Sequence, residues 1–217
     1  MNMARVNLER RAEIGLAKRN RTRAAILEAA RACYAAPKAA PMTVDAVMQA
    51  AGMAKGTFYV HFEDLTALEA ELGEILTDEL DRRLQPARVT ADHPLTRLAT
   101  ALTILLRDLA RSPTRARLVA RAASAIPDVV NAMQAHLRQD LADTQAAGAL
   151  AISSVELAAR IVTAISRQAA QDFADKRIDD SAVPDIVRAI LRTMGCTPRD
   201  AVRHGEAAAR QAAAHCP

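Results

Sequence analysis

The sequence predicts an all-α chain, and three observations carry that prediction. Alanine, the best helix former, is the commonest of the 217 residues. Aromatic side chains make up only 2%, and glycine and proline number 7 and 9, too few rings and turn formers for a β-rich fold. Leucine, isoleucine and valine recur at intervals of three and four, the period of a helix with an apolar face. With 51% apolar and 25% charged residues, the chain has enough apolar surface to pack one or two domains.

Residues 1–20 alternate arginine, lysine and glutamate with leucine, isoleucine and alanine, and read as a basic arm or a fraying helix. From Arg21 the pattern firms: Ile26, Leu27, Ala30, Cys33 and Tyr34 recur at helical spacing. This helix should stop near residue 36, because Pro37 and Pro41 follow. Thr43 is suited to cap a short second helix over 44–51, and Gly52 to end it. A third short helix follows over 54–61. Asp64 should cap a long fourth helix over 65–84, ended by Pro86; at 1.5 Å per residue it is about 30 Å long.

Residues 94–111 repeat Leu95, Leu98, Leu102, Leu105, Leu106 and Leu109, and Ser112 with Pro113 breaks that helix. A short helix over 114–125 follows. Pro127 suits the first position of a helix over 127–147, stopped by Gly148. Residues 154–175 make a long alanine-rich helix with apolar residues on more than one face: Val155, Ala158, Val162 and Ile165, but also Leu157, Ile161 and Ala164. Residues 184–194 present Ile186, Val187, Ile190 and Leu191. One face can meet its own domain and another a second copy of the chain, so these last two helices are expected to build a two-fold interface. Residues 196–217 hold alanine and arginine with few large apolar side chains, and read as a weakly packed tail. The domain plan is an arm over 1–20, a three-helix domain over 21–63, a larger helical domain over 64–195 and the tail.

Charge divides along the same plan. Residues 1–60 hold ten Lys or Arg against four Asp or Glu, the remainder nineteen against twenty-one. A basic end joined to a near-neutral body is the electrostatic footprint of a nucleic-acid-binding chain. Within that end, TVDAVMQAAGMAKGTFYVHF (residues 43–62) sets two short helices about one glycine. This is a helix-turn-helix, in which the first helix braces the second so that it can lie in the major groove. Lys55, Thr57, Tyr59 and His61 supply donors within two turns, and Gly56 permits close approach to a phosphate. Four of the five aromatics (Tyr34, Phe58, Tyr59 and Phe62) fall within residues 34–62, where large rings fill the core of three small helices. Phe58 and Phe62 read as core, Tyr59 and His61 as phosphate contacts.

Residues 21–34, followed by that stretch and by Leu68, resemble the TetR family of bacterial transcriptional regulators, most specifically in AG-x-x-x-G-T-F-Y-x-x-F. The resemblance implies a homodimer that sets two heads in successive major grooves of double-stranded DNA, at a near-palindromic operator. It also implies a variable C-terminal domain for ligand binding and dimerisation, whose small-molecule ligand is unknown. By the same resemblance Thr43 caps the second helix and can touch phosphate, Lys55 and Thr57 face bases or backbone, and Tyr59 and His61 hold phosphates. The sequence departs from the family in three places. Ala54 stands where Ser or Thr commonly precedes the reading helix, so a hydroxyl cap worth about 0.5–2 kcal/mol is missing. Met48 replaces a usual alanine. Leu65 stands where a lysine usually adds a phosphate contact, and Glu63, Asp64 and further acidic residues through Asp81 should repel DNA. Arg5, Arg10, Arg11, Lys18, Arg19, Arg21 and Arg23 are available to compensate.

No Walker loop, G-x-G-x-x-G, G-x-S-x-G or H-E-x-x-H is present, and the five histidines are scattered; no enzyme, cofactor or metal is expected. No apolar run is long enough to span a membrane, the N-terminus lacks the apolar stretch of a secretory signal, and Cys33, Cys196 and Cys216 form no framework, so the expected location is cytoplasmic. A TetR-like body implies a pocket among residues 65–175, aliphatic because Phe173 is its only aromatic residue, with Thr103, Met133 and His136 as ligand contacts. The expected function is a sequence-specific transcriptional regulator, a repressor released from DNA by a small apolar ligand. The alternative is a helical protein-interaction module whose helix-turn-helix has weakened or altered DNA binding.

Overall fold

The computed structural model describes residues 3–36, 42–90, 93–125 and 132–215. Among them lie ten α-helices, one 3-10 turn and no strand. They form two compact units, residues 1–72 and 73–217. No helix among the described residues is long and apolar enough to cross a membrane. Cys33 and Cys196 are free thiols; Cys216 lies outside the described residues.

The first unit, the head, holds α1 (Met3–Ala35), α2 (Val44–Ala50), α3 (Lys55–His61) and the start of α4 (Leu65–Thr90). α1 packs on α2, and α2 on α3. Ile26, Val47, Phe58 and Leu68 are fully buried, with Met48, Phe62 and Leu72 nearly so. The Phe58 and Phe62 rings lie 5.6 Å apart, so the expected aromatic core is in place. Asp64 caps α4, accepting the Ala67 N–H at 2.8 Å. Of the two forms open to residues 3–20, the helix is the one present: α1 runs through them without a break. Arg, Lys, Glu, Leu and Ala are good helix formers, and the single Gly15 costs only about 1 kcal/mol. α4 does not stop before Pro86 but continues to Thr90. A proline removes one backbone hydrogen bond, and the turns before it are anchored by buried Leu76, Leu80 and Leu84.

In the second unit, the body, α5 (Pro94–Ala110) packs against α6 (Pro113–Ala125), α7 (Ala132–Ala146), α8 (Val155–Ala174), α9 (Val183–Thr193) and α10 (Pro198–His215). Leu98, Leu106, Leu109, Leu141, Phe173, Ile190 and Leu191 form part of one core. The expected start of a helix at Pro127 lies outside the described residues.

One reading is corrected here. Residues 196–215 are not a loose tail: α10 packs along α5, with Ala201, Ala208 and Ala212 buried. Small side chains let the two helices approach, and a polar seam ties them. The Thr96 hydroxyl and His204 Nδ1 are 2.7 Å apart, and Thr100 donates to Gln211 Oε1 at 2.9 Å. A search for large apolar residues misses a helix held this way. In α9, Val187, Ile190 and Leu191 lie in the body's own core, at most 1% exposed, and Ile186 is half-buried. α8 does keep an outward apolar row: Leu157 is 54% exposed, Ala164 is exposed and Ile161 is half-buried.

Candidate nucleic-acid interface

The turn before α3 sets the direction of that helix. Gly52 takes φ +65, a left-handed conformation that would strain any residue with a β-carbon by roughly 1–2 kcal/mol. The N–H groups of Gly52 and Met53 then close on the carbonyls of Gln49 (3.1 Å) and Met48 (3.0 Å). Ala54 starts α3 with no side-chain cap, as its missing hydroxyl requires, so α3 is held instead by the buried Phe58 ring. The other side of the helix faces outward. Lys55, Gly56 and Tyr59 are exposed, Thr57 and His61 partly so. Thr43, exposed at the head of α2, accepts the Ala46 N–H at 3.1 Å.

Each of these side chains has a defined environment. Lys55 Nζ lies 3.0 Å from Asp45 Oδ1, and that hydrogen bond raises the lysine's pKa. The pair is open to water, where such bridges are weak, so a phosphate can replace Asp45. A β-carbon at Gly56 would meet nothing within 4 Å; the head's own packing gives no reason for a glycine there. His61 is half-buried, and its Nδ1 is buried without a partner. Burial first, and then the charges of Arg19 and Arg23, push its pKa below the ordinary histidine value. The ring is therefore neutral at pH 7 and offers a hydrogen bond rather than a charge.

Sequence reasoning missed a clamp behind this surface. Arg23 donates Nε–H to Glu71 Oε1 at 3.0 Å, pairs with the other Glu71 oxygen, donates to the His61 carbonyl, and lies 4.1 Å over the Phe62 ring. One guanidinium thus ties α1, the end of α3 and α4. Tyr34 donates to Glu69, and burial with that carboxylate raises the phenol's pKa. Glu71 is therefore neutralised within the head by Arg23, while Glu69 and the capping Asp64 keep their charge and meet Tyr34 and the Ala67 N–H. The clamp had one signal: Arg23 and Glu71 each lie three residues from a buried side chain, Ile26 and Leu68, and so on the same helix face. Leu65 is half-buried at the start of α4.

In the body, Thr103 is buried and its hydroxyl donates to the Ala99 carbonyl at 2.8 Å. Met133 packs against Leu84, Ala101, Ile104 and Ala212. Thr103 lies about 160° from Ala101 and about 100° from Ile104 around α5, so it is not on the face that Met133 meets. His136 Nδ1 lies 3.0 Å from Asp81 Oδ1, a buried carboxylate, while the imidazole stays 41% exposed. Among the described residues no group of His, Cys, Asp or Glu is placed to hold a metal.

Residues 26–72 match the family described as bacterial regulatory proteins, tetR family. The fold is similar to that of several solved structures. RolR in complex with resorcinol is 20% identical, with a TM-score of 0.65 over 88% of this chain and 95% of that one. A γ-butyrolactone receptor (ArpA-like protein) is 18% identical, with a TM-score of 0.60 over 90% and 99%. The transcriptional regulator FadR from Bacillus subtilis in complex with stearoyl-CoA is 18% identical, with a TM-score of 0.59 over 77% and 96%. At these identities the likeness is one of fold. No curated relative matches the chain.

Proposed function

We propose, from a head that belongs to the tetR family of bacterial regulatory proteins, that the chain is a sequence-specific transcriptional regulator and represses until a small apolar ligand binds the body. The observation that carries this reading is α3: a short helix fixed from behind by Phe58 and the Arg23 clamp, with Lys55, Gly56 and Tyr59 outward. In this reading α3 lies in the major groove of double-stranded DNA. Lys55 and Thr57 meet base edges or backbone. Tyr59, Thr43 and the neutral His61 hydrogen-bond phosphates, and Gly56 lets a phosphate come close.

Two heads act together in this proposal. The outward row on α8 (Leu157, Ile161 and Ala164) is the surface for a second copy. A two-fold homodimer calls for a near-palindromic operator with half-site centres roughly 34–36 Å apart, or a multiple of that. The setting is the cytoplasm, where a bacterial chromosome lies. For the ligand, Met133 offers an apolar contact and His136 a half-exposed ring. Thr103 would add shape more than a donor, because its hydroxyl already serves Ala99. Release requires the ligand to bind the DNA-free state more tightly than the bound one.

The test is a gel shift against DNA flanking the protein's own gene, followed by titration with resorcinol, a long-chain acyl-CoA and a γ-butyrolactone. Protection of two symmetric half-sites, lifted by one of these classes, is the expected result. Equal affinity for flanking and random DNA would overturn the reading.

A further inference from the structure

We propose that the N-terminal extension of α1 is a second DNA-binding element, one that grips phosphates beside the bases α3 reads; the inference rests on the DNA-binding function proposed above. The family match begins at residue 26, yet α1 begins at Met3. The added turns extend the helix by about 35 Å. Arg10 and every residue from Glu13 to Arg21 are exposed. Through Arg21 the extension holds six Arg or Lys against two Glu.

Position and spacing give the charge a direction. Arg19 donates to the Val60 carbonyl at 3.4 Å, and Arg23 to the His61 carbonyl. The root of the extension therefore stands at the C-terminal end of α3, beside the exposed Tyr59. Arg10, Lys18 and Arg21 follow at intervals of eight and three, which places them on one helix face. The row from Arg10 to Arg21 spans about 16 Å, roughly five base pairs at 3.4 Å each. A cationic row of that length, starting at the reading helix, complements a duplex backbone.

A membrane surface is the competing polyanion, and the apolar residues argue against it. Ile14 and Leu16 are 58% and 60% exposed, but they are two positions apart and point to nearly opposite sides of the helix. An interfacial helix needs its apolar side chains on one face.

The test uses the full-length protein and the triple variant R10A/K18A/R21A, with folding checked by circular dichroism. Fluorescence anisotropy gives the affinity for operator and random duplexes across a salt series. Affinity should fall about tenfold or more at 0.15 M salt for both duplexes, with their ratio kept. The slope of log K against log salt should become shallower by about 0.9 for each lost contact. The conservative variant R10K/R21K should keep the wild-type slope. If the wild type binds its operator and the triple variant keeps the same slope, this inference fails and the role of α3 stands. If the wild type binds no DNA, both readings fail. If the variant loses binding only to phosphatidylglycerol vesicles, the extension is a membrane element and the proposal is wrong.

Discussion

The head and the body both pack helices around a core, but they place their polar side chains on opposite sides of it. The head buries rings, Phe58 and Phe62, and its named polar groups (Thr43, Lys55, Tyr59) face outward. Apart from the head's Tyr34, whose phenol meets Glu69, the buried polar side chains among the described residues belong to the body: Asp81, Thr96, Thr100, Thr103, Asp140, Thr144, Ser166 and His204. Most of these are matched internally, as Thr96 is by His204 and Asp140 by Arg97 at 2.7 Å. Buried polar groups need partners, so such pairs fix which helices lie together. The contrast teaches where to seek function. The head presents donors to something outside the chain; the body uses most of its donors to specify its own packing.

The largest effects should separate the two units. Phe58→Ala and Phe173→Ala each remove a buried ring, at about 3–5 kcal/mol. Phe58→Ala should abolish DNA binding and leave the body's thermal transition in place, whereas Phe173→Ala should lower that transition. Circular dichroism melts, paired with anisotropy on DNA, check both. If Phe58→Ala lowers the body's transition equally, the units unfold as one and the contrast has no energetic basis.

The same contrast explains what was readable before the structure. The head's motif is local: within twenty residues, Thr43, Gly52, Phe58 and Phe62 each carry a cap, a turn or a core contact, and the helix period leaves the remainder outside. The body's helices were readable from leucine spacing, but their partners were not. Thr96 and His204 are 108 positions apart, and neither alone announces the other. α10 is hard to read in the sequence because alanines make its contacts, and periodicity shows the apolar face of α9 without saying what covers it. The Arg23 clamp likewise depends on Glu71, 48 residues away.

Glycines sharpen the comparison at a smaller scale. Gly195 in the body has φ +83, and a β-carbon there would lie 2.7 Å from that of Ala151. Gly195→Ala should cost about 2 kcal/mol or more. Gly56→Ala should do the reverse, stabilising α3 by about 0.5–1 kcal/mol, while DNA affinity falls because the new methyl stands on the DNA side. Chemical denaturation and anisotropy measured together test this. If Gly56→Ala binds DNA normally, no phosphate approaches that backbone.

Acid should act chiefly through the body. Burial, then the charges of His93 and Arg203, lower the pKa of His204, with Asp200 opposing them. The unfolded chain takes up a proton near the ordinary histidine pKa of about 6.5, and the folded chain only at lower pH. Stability is therefore whole above that range and declines as pH falls through it. His61 shifts in the same direction in the head. A drop of a few degrees in the body's Tm between pH 7 and pH 5 is expected. His204→Gln, which cannot titrate but can still meet Thr96, should flatten the dependence; an unaltered pH profile would show that His204 is not the acid-sensitive group.

The smallest effect concerns Ala54. Its backbone, at φ −71 and ψ 144, already has the extended conformation of an N-cap, so a serine needs no rearrangement there. Its hydroxyl would accept a first-turn N–H that no side chain now meets. Ala54→Ser should stabilise the head by about 0.5–1 kcal/mol. The body's transition should stay unmoved, since the change touches only α3. Discrimination between operator and random DNA should also be unchanged, because an N-cap hydroxyl orders the helix without reading a base. A gain in the body's Tm would mean that head and body share one cooperative unit. A gain in discrimination would mean that residue 54 itself reaches a base edge, and the reading surface would then begin one residue before α3.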